Sequence, residues 1–421
     1  MKQFWIKFFS ASIGNLFDHY SKALFLFLAP FLAPLFFADT SPLSALILTY
    51  AIMPLSLFIR PVGAIYFGLI GDRRGRCVAL FLTLSGVALS TFLIGCLPTY
   101  RQVGWLAPGL FSLGYLMQNF FASGETVGGT LLILEACKKN ARTFYNSIYE
   151  CSTLLGGLLA SLGVTWLSAQ GLIETHWRWL YWIGGSTGGV AFFVRFFTKD
   201  TRVEAQPKRR TLSFLWEHRI PFLIVAVTSG FSYANYYLVT SLLNSFLPLI
   251  NSVTKAKMMK ANSFILICDC LLLPLGGFLA TQLPKEKLMI LFVGLICILI
   301  LPLYSILATA TFPVIILIRM VFVILGVGFS VILIPYYQDF IPHKNRYTLI
   351  CFGTAIGSQL FGSSACSIGL FLFGQTGWPG APALYLIAVG FFVIILLKFT
   401  CLKSHKFLEP ELFNKCLKGG E

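Results

Sequence analysis

The chain has 421 residues, of which 57% are hydrophobic and only 11% charged, with a mean hydropathy of +0.80. A soluble domain carries about a quarter charged residues, so this composition excludes a chain that meets water on most sides, and its apolar runs of roughly 20 residues are the pattern of membrane-crossing helices. The net charge of +16 sits in short basic clusters between those runs, with no basic domain interleaved with aromatics, which excludes nucleic acid as the partner.

In chain order, the first span is expected near 11–37. Met1 and Lys2 followed by apolar residues resemble a signal peptide, but Asn15, Asp18 and Lys22 interrupt the run before it continues to Phe37, which argues for a retained span. These three residues stand at i, i+3 and i+7 and share one stripe, and Asp18 to Lys22 is an i, i+4 ion-pair spacing. A charge inside an apolar span costs about 2.5–3.5 kcal/mol on insertion scales, so each is a candidate for function. The plain alternative is a pair that only neutralises itself.

Spans two and three are expected near 44–69 and 77–97. Around and between them run Arg60-Pro61-Val62-Gly63 and Gly68-Leu69-Ile70-Gly71-Asp72-Arg73-Arg74-Gly75-Arg76. Gly68 and Gly71 permit close helix approach, and Asp72 offers a carboxylate to nearby arginines or to a helix N-terminus, so that the segment can latch two halves of a bundle. A turn that merely holds positive charge on one side is the structural alternative. In span four, near 104–134, Gln118, Ala122, Glu125 and Gly129 share a face, so Glu125 can meet Lys22; a purely structural glutamate is the competing reading. Span five, near 145–168, holds Glu150 close to Glu135 and Arg142, a candidate gate network, and span six lies near 178–198.

Lys199 to Arg219, with Lys208-Arg209-Arg210, is the longest polar stretch and divides the chain into six spans and six. The expected organisation is a bundle over 1–198, a linker over 199–219, a second bundle over 220–402 and a tail over 403–421. Span seven, near 220–249, carries Tyr233, Asn235, Tyr236 and Tyr237; span eight, near 261–283, carries Asp269. Span nine lies near 287–309, and span ten, near 312–337, carries Arg319; spans eleven and twelve lie near 347–373 and 380–402, with Gln359 in the former. Asp269 and Arg319, each alone an uncompensated charge, are expected to pair. Tyr233, Asn235, Tyr236 and Gln359 suit a small polar solute, although interfacial or packing tyrosines are equally common.

The basic loops alternate with the spans: Arg73, Arg74, Arg76, Lys138, Lys139, Arg142, the linker, Lys285, Lys287, Lys344 and Arg346 share a side that should be cytoplasmic, with both termini. Only the loop holding Lys255, Lys257 and Lys260 dissents. Eleven cysteines are spread singly apart from Cys268 and Cys270, which points to buried thiols and to neither a disulfide framework nor a zinc site. With no nucleotide loop, no metal-ligand motif and no Ser/His/Asp arrangement, no cofactor, no metal and no enzymatic activity is expected. The fold expected is an all-α membrane protein of about twelve transmembrane helices in two six-helix bundles.

The 60–76 stretch resembles the cytoplasmic loop signature of the major facilitator superfamily, and further residues narrow the resemblance to its metabolite:proton symporter family. They are Gly14-Asn15 with Asp18, Gly124-Glu125-Thr126-Val127-Gly128-Gly129 through Glu135, Arg142 with Ser147, Trp177-Arg178-Trp179, Asp339-Phe340-Ile341-Pro342 with Arg346-Tyr347, Thr376-Gly377 and Ala381-Pro382-Ala383. The chain departs from the family's pattern at Tyr115, where an arginine is usual, at Ser21, where an aspartate is usual, and at Thr281, which replaces an acid. The resemblance implies a bacterial inner-membrane carrier that moves an osmolyte, amino acid or carboxylate by alternating access, with protons as the coupling ion. The shared helix faces, the near-midplane depth and the cost of burying charge make Asp18, Lys22 and Glu125 the expected charged core, with Asn15 and Gln118 flanking them. Lys22 would hold the anionic group of the solute. A uniporter or exchanger without proton coupling is the alternative within transport, and a solute sensor is the alternative outside it. Partners expected are a small solute, protons and membrane lipid, around a monomer.

Overall fold

Backbone amides and carbonyls find no partners in hydrocarbon, so a chain of this composition has to satisfy them within helices. The computed structural model describes residues 2–74, 76–123, 137, 141–196, 218–280, 284–341 and 346–398. Helices make up almost all of it, and no strand occurs among the described residues. Nine helices there are long and apolar enough to cross a membrane.

Span one is the helix Lys2–Phe36. Span two is broken: Pro42–Ala51 leads through a 3-10 turn at Met53–Leu55 into Ser56–Arg74. Spans three to six are Arg76–Gly95, Leu106–Ala122, Arg142–Ala169 and Ile173–Phe196. Span seven runs from Arg219 to Ile250 with a π-helical stretch at Tyr237–Leu242, and span eleven joins Arg346–Gly357 to Ser364–Thr376 through a second π-helix at Ser358–Ser363. Lys255–Leu279, Lys285–Ser305, Phe312–Phe340 and Ala381–Lys398 are spans eight, nine, ten and twelve. Span six ends and span seven begins at the same end of the bundle, called below the linker end.

Two six-helix bundles follow from how the spans pack. In the first, span one packs on span five, and span four on spans two and three; the same pairs recur in the second as seven on eleven, and ten on eight and nine. Residue detail repeats too. A Cβ at Gly156 of span five would stand 2.2 Å from the Leu16 carbonyl oxygen of span one, and one at Gly357 of span eleven would stand 1.9 Å from the Ala226 carbonyl oxygen of span seven. Only glycine lets backbones meet this closely. Between the bundles, span five packs along span eight and span two along span eleven, a pair of contacts exchanged by the same internal symmetry.

The distribution of side chains is inverted relative to a soluble protein. Leu271, Leu275 and Phe278 on span eight are 66%, 59% and 67% exposed, whereas Asp18, Arg60, Asp269 and Arg319 are 7% exposed or less. Apolar groups cover the outside and the charges lie within, as lipid requires. Lys255, Lys257 and Lys260, expected in a loop, belong to the first turns of span eight. Lys255 donates to the Pro30 carbonyl at 2.7 Å, and the Lys257 ammonium stands 4.3 Å from the Phe312 ring centroid. Local partners thus meet Lys255 and Lys257 at the end opposite the linker.

Candidate functional site

Charges and amides converge at mid-depth, where spans one, two, four, five, seven and eleven approach one another. On span one, Lys22 Nζ donates to Asp18 Oδ2, while Asp18 Oδ1 is buried with no hydrogen bond. Asn15 is turned away from them: its Nδ2 donates to Ser152 Oγ at 2.8 Å and Thr153 Oγ1 at 2.7 Å on span five. Its amide therefore ties spans one and five together.

Arg60 belongs both to the expected second span and to the loop signature. It lies buried inside span two, and its Nε donates to Asn119 Oδ1 of span four at 3.2 Å. Asn119 Nδ2 is anchored in turn on the Tyr115 carbonyl at 3.0 Å. Arg60 stands within Coulombic range of Asp18, Tyr115, Tyr233 and Tyr237. One turn earlier, Ser56 Oγ donates to Gln359 Oε1 of span eleven, a bond between the bundles at a place where both helices are irregular. The 3-10 turn in span two and the π-helices in spans seven and eleven are breaks of the kind that concentrate at functional sites. Neither composition nor apolar periodicity announces them.

From span seven, Tyr233 and Tyr237 have ring centroids 6.1 Å apart, and Tyr236 and Tyr237 are 5.9 Å apart. Asn235, 6% exposed, has an Oδ1 without a hydrogen bond. Gln118 donates through Nε2 to Thr91 Oγ1 of span three at 2.8 Å, and its buried Oε1 has no partner. Glu125 and Glu135 lie outside the described residues, as do the side chains of Gly68, Gly71, Asp72, Arg73, Arg76 and Arg346.

The ion pair expected between Asp269 and Arg319 is absent. Arg319 donates instead to Asn244 Oδ1 at 3.0 Å, Asn262 Oδ1 at 2.7 Å and the Thr240 carbonyl at 3.2 Å. The π-helix at Tyr237–Leu242 breaks the regular helical pattern around Thr240 and leaves that carbonyl open to the guanidinium. Asn262 and Asp269 are seven residues apart on span eight, about 10 Å along the axis, so Asp269 sits two turns below the position Arg319 occupies. Its neighbours are Tyr236 of span seven and the Cys151–Cys270 contact between spans five and eight.

The two ends differ. At the end opposite the linker, the bundles are joined by Tyr50 OH with Ser245 Oγ at 2.8 Å and by Lys255 with Pro30, and Leu43 of span two packs against Gly374 of span eleven. At the linker end, Asp339 of span ten receives Lys285 Nζ at 2.5 Å from its own bundle and stands 3.7 Å from Arg142 Nη1 of span five in the other. Arg142 and Asp339, both expected gate residues, are thus neighbours across the bundles. Glu150 of span five lies beside Cys151 and Thr153 and within Coulombic range of Tyr233 of span seven.

A family model described as Major Facilitator Superfamily matches residues 11–363. A protein of Staphylococcus haemolyticus, provisionally named a proline/betaine transporter, is 28% identical, over 97% of this chain and 90% of its own. The citrate-proton symporter of Salmonella typhi is 27% identical over 66% of each. Among solved structures, a D-xylose-proton symporter superposes with a TM-score of 0.75 at 11% identity, over 93% of this chain and 97% of that one. The human organic anion transporter of the same overall shape gives 0.67 at 15% identity, over 94% and 99%.

Proposed function

Because the chain belongs to the major facilitator superfamily, we propose that it carries a small zwitterionic or anionic metabolite across a bacterial inner membrane by alternating access, driven by protons. The single observation that supports this most is the mid-depth cluster of Asp18, Lys22, Arg60 and the span-seven tyrosines, enclosed between the bundles where helices are broken. Charge buried at this depth is costly unless it serves transport, and midplane sites between repeats with unwound helices are the rule for secondary carriers. The names of the curated relatives, a proline/betaine transporter and a citrate-proton symporter, point to solutes that bear a carboxylate.

In this reading the bundles are residues 1–198 and 220–402, and rock about the central site. The extracellular side is closed by Tyr50–Ser245, Leu43–Gly374 and Lys255–Pro30, and the cytoplasmic side is latched by Arg142 with Asp339. Asp18 is the group that exchanges its bond with Lys22 for a proton during the cycle. Solute uptake into proteoliposomes tests the proposal: accumulation against a gradient should require an inward proton gradient. Equal uptake with and without that gradient would leave a uniporter or exchanger, and binding without flux would leave a sensor.

A further inference from the structure

The geometry points to Arg60 as the anchor for the solute's carboxylate, a role that Lys22 does not fill. This inference rests on the transport reading above and names the chemistry its site recognises. Lys22 already has a counter-charge in direct contact, since its ammonium is bonded to Asp18 one turn away. Arg60 has none: among the described residues no carboxylate contacts it, and its one hydrogen bond is from Nε to the neutral amide of Asn119. It is nevertheless 7% exposed, inside a helix. A buried guanidinium with no carboxylate in direct contact is costly even with Asp18 in Coulombic range, and a ligand that supplies a contacting carboxylate offsets that cost.

The bond that Arg60 does make orients it. Nε is held toward span four by Asn119, itself fixed to the Tyr115 carbonyl. The Nη edge is left for an acceptor, and two parallel N–H donors match two carboxylate oxygens. Ser56, four residues earlier and so on the same face of span two, already touches the other bundle through Gln359. Arg60 therefore faces the space between the bundles, with Tyr233 and Tyr237 of span seven within Coulombic range. A carboxylate held there would lie between a cation of the first bundle and phenols of the second, so its binding acts on both moving parts.

The test uses the full-length protein in proteoliposomes with four labelled probes: glycine betaine, L-proline, citrate and choline. Choline carries the same quaternary ammonium as betaine with an alcohol in place of the carboxylate. The wild type should take up at least one carboxylate probe and discriminate against choline. Arg60→Gln should raise the half-saturating concentration of that probe at least about thirtyfold, the usual consequence of truncating one partner of a buried charge pair, with melting of the solute-free protein little changed. If Arg60→Gln fails to fold, Asn119→Asp gives the second reading, because it sets a carboxylate against the guanidinium and should weaken the same probe. Unchanged affinity in either variant, or equal uptake of choline and betaine by the wild type, would overturn the assignment while leaving a transporter. Binding of a probe without flux would instead sink the transport reading.

Discussion

Of the two buried cations on spans two and ten, Arg60 is bonded through Nε and Arg319 through both Nη groups, with its Nε left unbonded. Arg319 is completely buried and bonded to Asn244, Asn262 and the Thr240 carbonyl, so it is a clamp between spans seven, eight and ten. Hydrogen bonds to charged groups are worth about 1.5–3 kcal/mol each. Arg319→Gln is expected to lower the melting temperature sharply in detergent, whereas Asp269→Asn, which breaks no bond, should leave it nearly unchanged. Because the two side chains do not meet, the double variant should show the sum of the single effects; a double variant clearly more stable than Arg319→Gln alone would show that they interact. Lys22→Met tests the other pair. It strands Asp18, and is expected to abolish proton-driven uptake while a solute-induced rise in melting temperature persists.

At the scale of helices, the sequence spoke clearly about spans and poorly about their interruptions. Apolar runs, the polar 199–219 stretch and the alternation of basic loops were enough to read twelve spans in two bundles, because burial in lipid imposes a single composition on each. The Asp18–Lys22 pair is legible from helical spacing, whereas Arg142 and Asp339 are legible only as separate gate residues and their meeting across the bundles is not. The family's pattern groups Arg60 with the gate and loop residues, and its burial against span four inside the helix Ser56–Arg74 depends on packing that the pattern does not encode. The π-helices depend on packing between spans seven and eleven and on Arg319, which no local rule encodes. The close approach of spans one and five rests on Gly156, where a Cβ would lie 2.2 Å from the Leu16 carbonyl. Gly156→Leu should cost about 1–3 kcal/mol from overpacking and reduce folded yield on size-exclusion chromatography; an unperturbed yield and melting curve would show that the helices are not in contact there.

Across the whole molecule, the two bundles are held together mainly along spans five and eight. Cys151 Sγ lies 3.5 Å from the Cys270 carbonyl and Cys270 Sγ lies 3.8 Å from the Cys151 carbonyl, at the middle of that crossing. Mild oxidation with copper phenanthroline should join the bundles, so that a protein cut at a protease site inserted in the 199–219 linker runs as one band without reductant. A Cys151→Ser control should run as two. Two bands from the cut protein that keeps both cysteines would mean that spans five and eight are not juxtaposed. The expected topology is checked by labelling the termini and the linker in intact cells: none should react from outside.

Alternating access is tested most directly by measuring two distances in one protein, before and after a transported solute is added. One spin-label pair is placed at Leu43 and Gly374, where spans two and eleven meet at the end opposite the linker, and the other at Arg142 and Asp339 at the linker end. Opposite changes are expected, with one pair separating as the other closes. Two distances that widen together, or that do not respond to a solute which is carried, would contradict it.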